Sequence, residues 1–267
     1  MTPSLPRVVN HDSAVPLDLR GSVIVLGNFD GVHLGHRALI ERARLLADQR
    51  GAPLAVMSSE PHPRQFLNPD IAPFRLSSRP GKRLVFAANG IDLLYEPSFD
   101  VAFATRSPQD FIVDILVGYL GVSGVVVGDD FRFGHKRSGG VEDLVKAGRG
   151  GRFSVDVIAE LQLEQARLSS TRIRGWIADG KLALAHQALC GAWLTSVSIV
   201  EDGSVLFESH QLLPPAGHYQ VRLLDRSGAP LGFEILTITP PRHAHLSTDR
   251  VGPGARLITD WRAADFD

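Results

Sequence analysis

Short apolar runs alternate with longer amphipathic segments through the first two thirds of this 267-residue chain. The apolar runs predict strands at residues 23–26, 53–58, 91–95, 122–127 and 153–158. The amphipathic segments predict helices at residues 37–50, 78–89, 108–120, 141–147 and 169–178. Ser107 is the expected cap of the third of these helices, and Ser169 opens the last. Nearly continuous apolar strands that alternate with helices are typical of a parallel sheet covered on both faces. The sequence therefore predicts an α/β fold with a Rossmann-like parallel sheet, preceded by a loose lead-in over residues 1–20.

The pattern changes after about residue 193, where no helical periodicity is visible. Strand-like runs occur at residues 197–200, 205–209, 218–224, 233–238 and 256–258, and turn signals such as Asp202-Gly203 and Ser227-Gly228 separate them. This pattern of short strands and turns predicts a small all-β, barrel-like domain. We therefore expect two domains, residues 1–190 and residues 191–267.

Composition narrows the class of protein. The formal net charge of -1 gives no support for a nucleic-acid-binding or membrane-binding surface. Cys190 is the only cysteine, so no internal disulfide can form and a reducing compartment is expected. The first twenty residues have no apolar signal region, and no stretch approaches the roughly 20 apolar residues that a membrane span needs. We expect a cytoplasmic protein with small-molecule ligands, whose oligomeric state the sequence leaves open.

The candidate chemistry begins in residues 27–36, which read Gly-Asn-Phe-Asp-Gly-Val-His-Leu-Gly-His. This segment, called here the phosphate loop, joins a predicted strand to a predicted helix. Its glycines allow the backbone to approach a ligand, and the free amides at the helix start carry partial positive charge. His33 and His36 should lie on one face of the first turn and offer two ring N–H donors to phosphate oxygens. A metal pair or two ordinary surface histidines are the alternatives.

Three further loops carry candidate residues. Residues 128–140 combine four glycines with basic side chains, and Phe131 and Phe133 suit a flat ring; a solvated basic loop is the alternative. Residues 169–174 place hydroxyls and two arginines, Arg172 and Arg174, at a helix start, which suits a triphosphate but also ordinary helix capping. His62 lies between two prolines, where a structural histidine is as common as a functional one. Since these loops follow strands, we expect them to gather at one sheet edge.

Several reaction classes have no motif here. The chain has no Gly-x-Ser-x-Gly elbow, no zinc-like Cys/His spacing, no reactive cysteine context and no Walker phosphate loop. We predict no metal-ligating side chains. Phosphate chemistry without a covalent intermediate remains, achieved by positioning and charge stabilisation.

Four segments together resemble a known family. Gly-Asn-Phe-Asp-Gly-Val-His-Leu-Gly-His, Pro-His-Pro, Val-Gly-Asp-Asp-Phe-Arg-Phe-Gly and Ser-Ser-Thr-Arg-Ile-Arg are similar, in order and spacing over residues 20–190, to the bacterial bifunctional riboflavin kinase/FMN adenylyltransferase (FAD synthetase) family. The first segment resembles the His-x-Gly-His loop of the nucleotidyltransferase superfamily. The resemblance implies an FMN adenylyltransferase that transfers AMP from ATP to FMN, with Mg²⁺, to give FAD and pyrophosphate.

The resemblance also implies roles for individual residues. Charge stabilisation in catalysis would come from His33, His36 and Arg174. ATP would be bound by Gly27, Asn28, Phe29, Asp30, Gly31, His33, Gly35, His36, Ser170, Thr171 and Arg174. FMN would be bound by His62, Gly128, Asp130, Phe131, Arg132 and Phe133.

The C-terminal part departs from the family pattern. The family continues with a riboflavin kinase barrel that carries a Gly-Phe-Pro-Thr-Ala-Asn motif, and residues 191–267 contain no such motif. We expect a truncated, degenerate kinase-like barrel without riboflavin kinase activity. Two alternatives stay open: an adenylyltransferase or cytidylyltransferase acting on another phosphate substrate, and a non-catalytic flavin-nucleotide-binding regulator.

Overall fold

The computed structural model describes residues 4–159, 161–163, 166–200, 202, 204–248 and 251–261. The strands are β1 (Arg7–Val9), β2 (Val23–Leu26), β3 (Leu54–Met57), β4 (Leu93–Tyr95), β5 (Gly124–Gly128), β6 (Arg132–Phe133), β7 (Gly139–Gly140), β8 (Ser154–Ile158), β9 (Gln162–Leu163), β10 (Ala166–Arg167), β11 (Trp193–Ile199), β12 (Val205–Phe207), β13 (Gly217–Leu224), β14 (Pro230–Thr239), β15 (His243–Ser247) and β16 (Arg256–Trp261). The α-helices are α1 (Leu34–Arg50), α2 (Pro63–Leu67), α3 (Arg79–Ala88), α4 (Val101–Ala104), α5 (Pro108–Asp110), α6 (Val141–Gly148), α7 (Ser170–Ala178) and α8 (Leu182–Ala188).

The first sheet is parallel throughout and has the order β1-β4-β3-β2-β5-β8. Its central strand β2 is fully buried because both faces are covered. Ile24 and Leu26 belong to a core with residues of the helical segment after Ser107, whereas Val23 and Val25 pack with residues of α1 and α3. The predicted α/β fold with a Rossmann-like sheet is confirmed.

Three details differ from the sequence prediction. The lead-in is not entirely loose, because β1 pairs in parallel with β4; with only Val9 buried, this edge strand has no apolar run to reveal it. The helix predicted at 108–120 is capped by Ser107 as expected, but it becomes a π-helix over Phe111–Tyr119. Helix α1 starts earlier than predicted, directly after His33.

The second sheet is antiparallel and has the order β12-β11-β16-β13-β14-β15. A bridge between Ser204 and His245 brings its two ends together, so the sheet is nearly closed, as the predicted barrel-like domain requires. Trp193 and Trp261 stack 4.7 Å apart in its core. We call residues 193–261 the β unit; the prediction of a domain boundary at residue 190 stays a prediction.

Strand β15 and helix α8 are among the elements that escaped the sequence prediction. Strand β15 reads His-Ala-His-Leu-Ser, where the buried Ala244 and Leu246 alternate with exposed histidines, so its apolar signal is weak. Helix α8 packs against α7 just before the β unit. No helix in the described part of the chain is both long and apolar enough to cross a membrane.

Candidate nucleotide site

The phosphate loop makes a tight turn between β2 and α1. Phe29 and Gly31 both have positive φ, of 50° and 68°. Gly31 also has no room for a side chain, because a Cβ there would lie 2.8 Å from carbon atoms of Leu76 and Leu189. The Phe29 ring is fully buried and packs against the His36 ring at 4.8 Å. The conformation of the turn is therefore stabilised by the buried Phe29 ring and by the packing of Leu76 and Leu189 against Gly31.

The two histidines lie together at the start of α1. His33 is the N-cap, and its Nδ1 accepts a hydrogen bond from the His36 N–H at 3.4 Å. The two imidazole rings stack with their centres 3.8 Å apart. The expectation that both rings share one face of the first turn is confirmed.

The protonation states of the two rings differ from the simple expectation. Burial lowers the pKa of His33 to about 2 and that of His36 to about 4, so both are neutral near pH 7. His33 accepts at Nδ1 and so carries its proton on Nε2. His36 Nδ1 lies 3.1 Å from the Gly31 carbonyl oxygen, which can only accept, so its proton is on Nδ1. Only His33 therefore has a ring N–H left to donate, and His36 must gain a proton before its Nε2 can do so.

Helix α7 brings the second phosphate segment, residues 169–174, to the same place. Ser169 caps the helix by accepting from the Arg172 N–H. The Ser170 hydroxyl donates to the Asp30 carbonyl at 2.9 Å, and Arg174 Nη2 donates to the Asp30 carboxylate at 2.6 Å. Thr171 is exposed at the same helix start. The structure thus brings residues 27–36 and 169–174 together, although the latter follow the small antiparallel pair β9–β10 instead of a strand of the parallel sheet.

The two arginines of this segment have different positions. Arg174 also donates from Nε to the Phe74 carbonyl at 2.7 Å. The guanidinium of Arg172 lies over the Trp176 ring at 5.0 Å. Arg174 is therefore the one that joins the phosphate loop.

Asp30 is a charged group almost wholly inside the protein, with 2% of its surface exposed. Burial alone would raise its pKa, but the neighbouring charges of Arg75 and Arg174 hold it below the ordinary value. Its Oδ1 accepts from the Leu76 and Ser77 amides at 2.9 and 3.3 Å. Asp30 is thus ionised and fully engaged with protein groups.

A buried chain of polar contacts continues beneath the loop. Arg75 lies 3.6 Å from Asp30 and makes two hydrogen bonds to Glu60, at 3.0 and 2.8 Å. Lys82 Nζ donates to Glu60 and to the Ser58 hydroxyl, both at 2.7 Å. The Ser58 hydroxyl in turn donates to the Asn28 carbonyl at 2.9 Å. This series of polar contacts therefore supports the loop at both Asn28 and Asp30.

Sequence reasoning missed Ser58, Glu60, Arg75 and Lys82 as site residues. One signal was available: Lys82 lies on the buried face of α3, in phase with Val85 and Phe86. A lysine in such a stripe must find an anionic partner, since an unpaired buried charge is very costly. Nothing in the linear sequence names that partner as Glu60.

The residues expected to bind FMN fall into two groups. His62 is nearly buried and caps α2 by accepting from the Arg64 N–H at 3.1 Å, with its pKa lowered to about 4 by burial. Its charge environment includes Asp30 and Arg174. This histidine is therefore structural in the present contacts and also faces the site.

The second group follows β5. Asp130 forms an exposed ion pair with Arg167, and Arg132 is exposed. Phe131 and Phe133 stack 5.7 Å apart, but Phe133 is buried against Phe111 at 5.3 Å. Gly128 ends β5. Of the two rings expected to suit a flat ligand, only Phe131 is partly open, and the FMN roles of this group stay predictions.

The fold and the site define an α/β protein in which two capped helix starts meet at the sheet edge, an arrangement suited to phosphate groups. A model of the family described as FAD synthetase matches residues 15–172. A bifunctional riboflavin kinase/FMN adenylyltransferase of Escherichia coli strain K12 is 35% identical over 237 residues, 85% of this chain and 75% of the relative. The corresponding protein of Listeria monocytogenes is 32% identical over 79% of this chain and 70% of its own length. The chain belongs to the FAD synthetase family, and the enzyme class predicted from the sequence is confirmed.

A solved structure shows the same fold. It is described as a macrolide-efflux protein from Streptococcus pneumoniae and superposes with a TM-score of 0.79 at 22% identity. The match covers 98% of this chain and 92% of the other. At this identity the likeness concerns the fold alone, and it extends over both sheets.

Proposed function

We propose that the protein transfers AMP from ATP to the phosphate of FMN, releasing pyrophosphate and forming FAD, and that it does not phosphorylate riboflavin. The observation that carries the proposal is the meeting of the two helix starts, α1 with His33 and His36 and α7 with Ser170 and Arg174, at Asp30. The family relationship supports the choice of substrates.

The chemistry needs no nucleophile from the protein. A phosphate oxygen of FMN forms a bond to the α-phosphorus of ATP, and the bond from that phosphorus to the bridging oxygen breaks. The electron pair leaves on pyrophosphate, so the protein must align the two substrates and stabilise the charge on the leaving group. In this proposal the α1 amides and the Nε2–H of His33 hold the phosphates.

Arg174 supplies positive charge opposite these donors. Asp30 and the Phe74 carbonyl engage one Nη and the Nε of its guanidinium, at 2.6 and 2.7 Å, and hold the side chain at the loop. A guanidinium has five N–H groups, so further donors stay available for phosphate oxygens. We propose that ATP binding also involves Gly27, Asn28, Phe29, Asp30, Gly31, Gly35, His36, Ser170 and Thr171, with Asp30 acting through its ion pair with Arg174. We propose that FMN is bound by His62, Gly128, Asp130, Phe131, Arg132 and Phe133.

We propose that Mg²⁺ binds together with ATP. The described residues contain no group of three or more His, Cys, Asp or Glu side chains that could hold a metal ion. Asp30 and Asp130 are already paired with arginines. Mg²⁺ keeps several waters and is commonly bound through substrate phosphates, so MgATP is the expected substrate form.

The absence of kinase activity is proposed from residues 191–267, which we assign to a separate domain after residues 1–190. That region lacks the Pro-Thr-Ala-Asn run that the family's kinase motif carries. Without such groups, little remains there to hold a nucleotide and its metal. The curated relatives are named for both activities, so this part needs its own assay.

One experiment tests both parts. The protein is incubated with ATP and Mg²⁺, and with either FMN or riboflavin, and flavins are separated by chromatography. We expect FAD from FMN, with one pyrophosphate per FAD, and neither FMN nor FAD from riboflavin. No FAD from FMN would overturn the transferase proposal, and FMN made from riboflavin above a no-enzyme control would overturn the proposed lack of kinase activity.

A further inference from the structure

Residues 74–78, called here the strap, run between the β unit and the phosphate loop. On one side the strap is bonded to the β unit almost like an added strand. The Phe74 and Arg75 amides donate to the His210 carbonyl at 2.9 and 2.8 Å, and the Leu212 amide donates to the Arg75 carbonyl at 2.9 Å. At its other end, the Ser78 amide donates to the Leu194 carbonyl at 3.2 Å.

The other side of the strap contacts the nucleotide site. The Leu76 and Ser77 amides donate to the Asp30 carboxylate, and the Phe74 carbonyl accepts from Arg174. The same five residues therefore donate to Asp30 and accept from Arg174, so both members of the ion pair are bonded to the strap. A shift of the strap would move the carboxylate and release one contact of the guanidinium.

Two side chains of the β unit hold the strap at its centre. Gln211 has no exposed surface, and its Nε2 donates to the Arg75 and Leu76 carbonyls at 2.7 and 3.2 Å. Trp193 Nε1 donates to the same Leu76 carbonyl at 2.7 Å. Leu76 is fully buried and clusters with apolar residues of the β unit.

Apolar contacts would be enough to hold the β unit against the rest of the protein. They would not require a buried amide that donates to two backbone carbonyls, as Gln211 does. A buried glutamine without partners is costly, so its presence here sets one geometry for the strap. The strand-like pairing on one side and the carboxylate on the other leave the strap little freedom.

We infer that the β unit controls the geometry of the nucleotide site. Gln211 and Trp193 fix the position of the strap, and the strap fixes the positions of the Asp30 and Arg174 side chains. Gln211 is a positioning residue, since it reaches the nucleotide only through the strap. The proposed function enters this inference only in assigning ATP to the site. The coupling between the β unit and Asp30 can be measured without any substrate.

The test compares Gln211→Met, which keeps the length of the side chain and removes the amide, with substitutions elsewhere in the β unit. Leu236, fully buried in β14, provides the controls Leu236→Val and Leu236→Ala. These bracket the loss of melting temperature, and none of the hydrogen bonds that hold the strap involves Leu236. Trp193→Phe is a second probe, since it removes the indole donor and keeps an aromatic ring.

Two quantities are measured for each full-length variant. The first is hydrogen exchange of the Leu76 and Ser77 amides without ligand. The second is the dissociation constant for MgATP. Gln211→Met should speed exchange at these amides relative to the Leu236 variant of equal melting temperature. It should also weaken MgATP binding by about tenfold, the size expected for loss of one hydrogen bond, here the bond from Arg174 to the Phe74 carbonyl.

Each outcome decides the inference. Exchange at Leu76 and Ser77 no faster than in the matched Leu236 variant would overturn the role of Gln211. Faster exchange with unchanged MgATP affinity would overturn the link from the strap to the site. If the wild-type protein makes no FAD, the proposed function fails while the exchange comparison still reports on the strap.

Discussion

The starts of α1 and α7 face each other across Asp30 and are built in different ways. At α1, His33 and His36 are neutral and are held by contacts within residues 27–36. At α7, the charge is on Arg174, whose partners lie 144 and 100 residues away in the chain. Both helices have a side-chain cap, so capping alone does not distinguish them.

The difference shows two ways to present donors to phosphate. At the α1 start the two imidazoles are neutral and their hydrogen bonds are local. The α7 start carries a permanent charge whose geometry depends on the strap and on Asp30. The hydrogen bonds of the two histidines thus involve near neighbours in the chain, whereas those of the arginine involve residues far away in the chain.

The largest effect on activity should come from removing a histidine at the start of α1. If His36 stabilises charge as pyrophosphate leaves, His36→Ala should lower kcat by roughly 10²–10³-fold, as does removal of one oxyanion donor. The KM for FMN should change little, because the histidine acts on the other substrate. Steady-state kinetics with FMN measure both, and His243→Ala, an exposed histidine of β15, is the control. Unchanged kcat in His36→Ala would remove this histidine from the mechanism.

A smaller effect is expected on the α7 side. Arg174→Lys keeps the charge but cannot bond Asp30 and the Phe74 carbonyl in the same planar geometry. We expect kcat/KM for ATP to fall by roughly 10–100-fold, the range for hydrogen bonds of a charged group. Arg172→Lys is the matched control, because its guanidinium lies over Trp176. Equal losses in the two variants would mean that the two arginines do not differ as the structure indicates.

The neutral histidines should also make stability depend on pH. The folded-state pKa values of His33, His36 and His62 are about 2, 4 and 4, below the ordinary 6.5. The unfolded chain therefore binds more protons below pH 6.5, and the folded state loses stability as pH falls from 6.5 towards 4. Each histidine should contribute about 1 kcal/mol to the loss between pH 7.5 and 5.5.

Urea unfolding at the two pH values measures this loss without ligand. His33→Asn keeps a capping oxygen and cannot titrate, so its loss should be smaller by about 1 kcal/mol. The same loss in His33→Asn and in the wild type would contradict a buried, neutral His33.

The smallest signal concerns the proton that His36 lacks. MgATP brings negative charge to the α1 start and should raise the pKa of His36, so binding near pH 7 should take up a fraction of a proton. Titration calorimetry in two buffers of different ionisation enthalpy measures this uptake. His36→Asn, which donates without titrating, should abolish it. Equal uptake by both proteins would place the proton elsewhere.

The features that the sequence predicted correctly depend mostly on contacts of short range. The alternation of strands and helices and the shared face of His33 and His36 were all predicted, and the structure confirms them. The caps of Ser107 and Ser169 were also predicted and are confirmed. These features depend on periodicity and on hydrogen bonds across three or four residues, so the residues involved are visible together in the chain. The motif set likewise identified the family.

Only the tertiary structure decided the order of the strands, the edge strand β1, and the partners of Lys82 and Arg174. It also decided that Phe133 is buried and that Gln211 reaches the strap. The physical reason is that a buried polar side chain is defined by its partner, and that partner lies anywhere along the chain. By itself the sequence determined which two segments carry the candidate phosphate-binding residues, whereas only the tertiary structure brought residues 74–78 and Arg174 to Asp30.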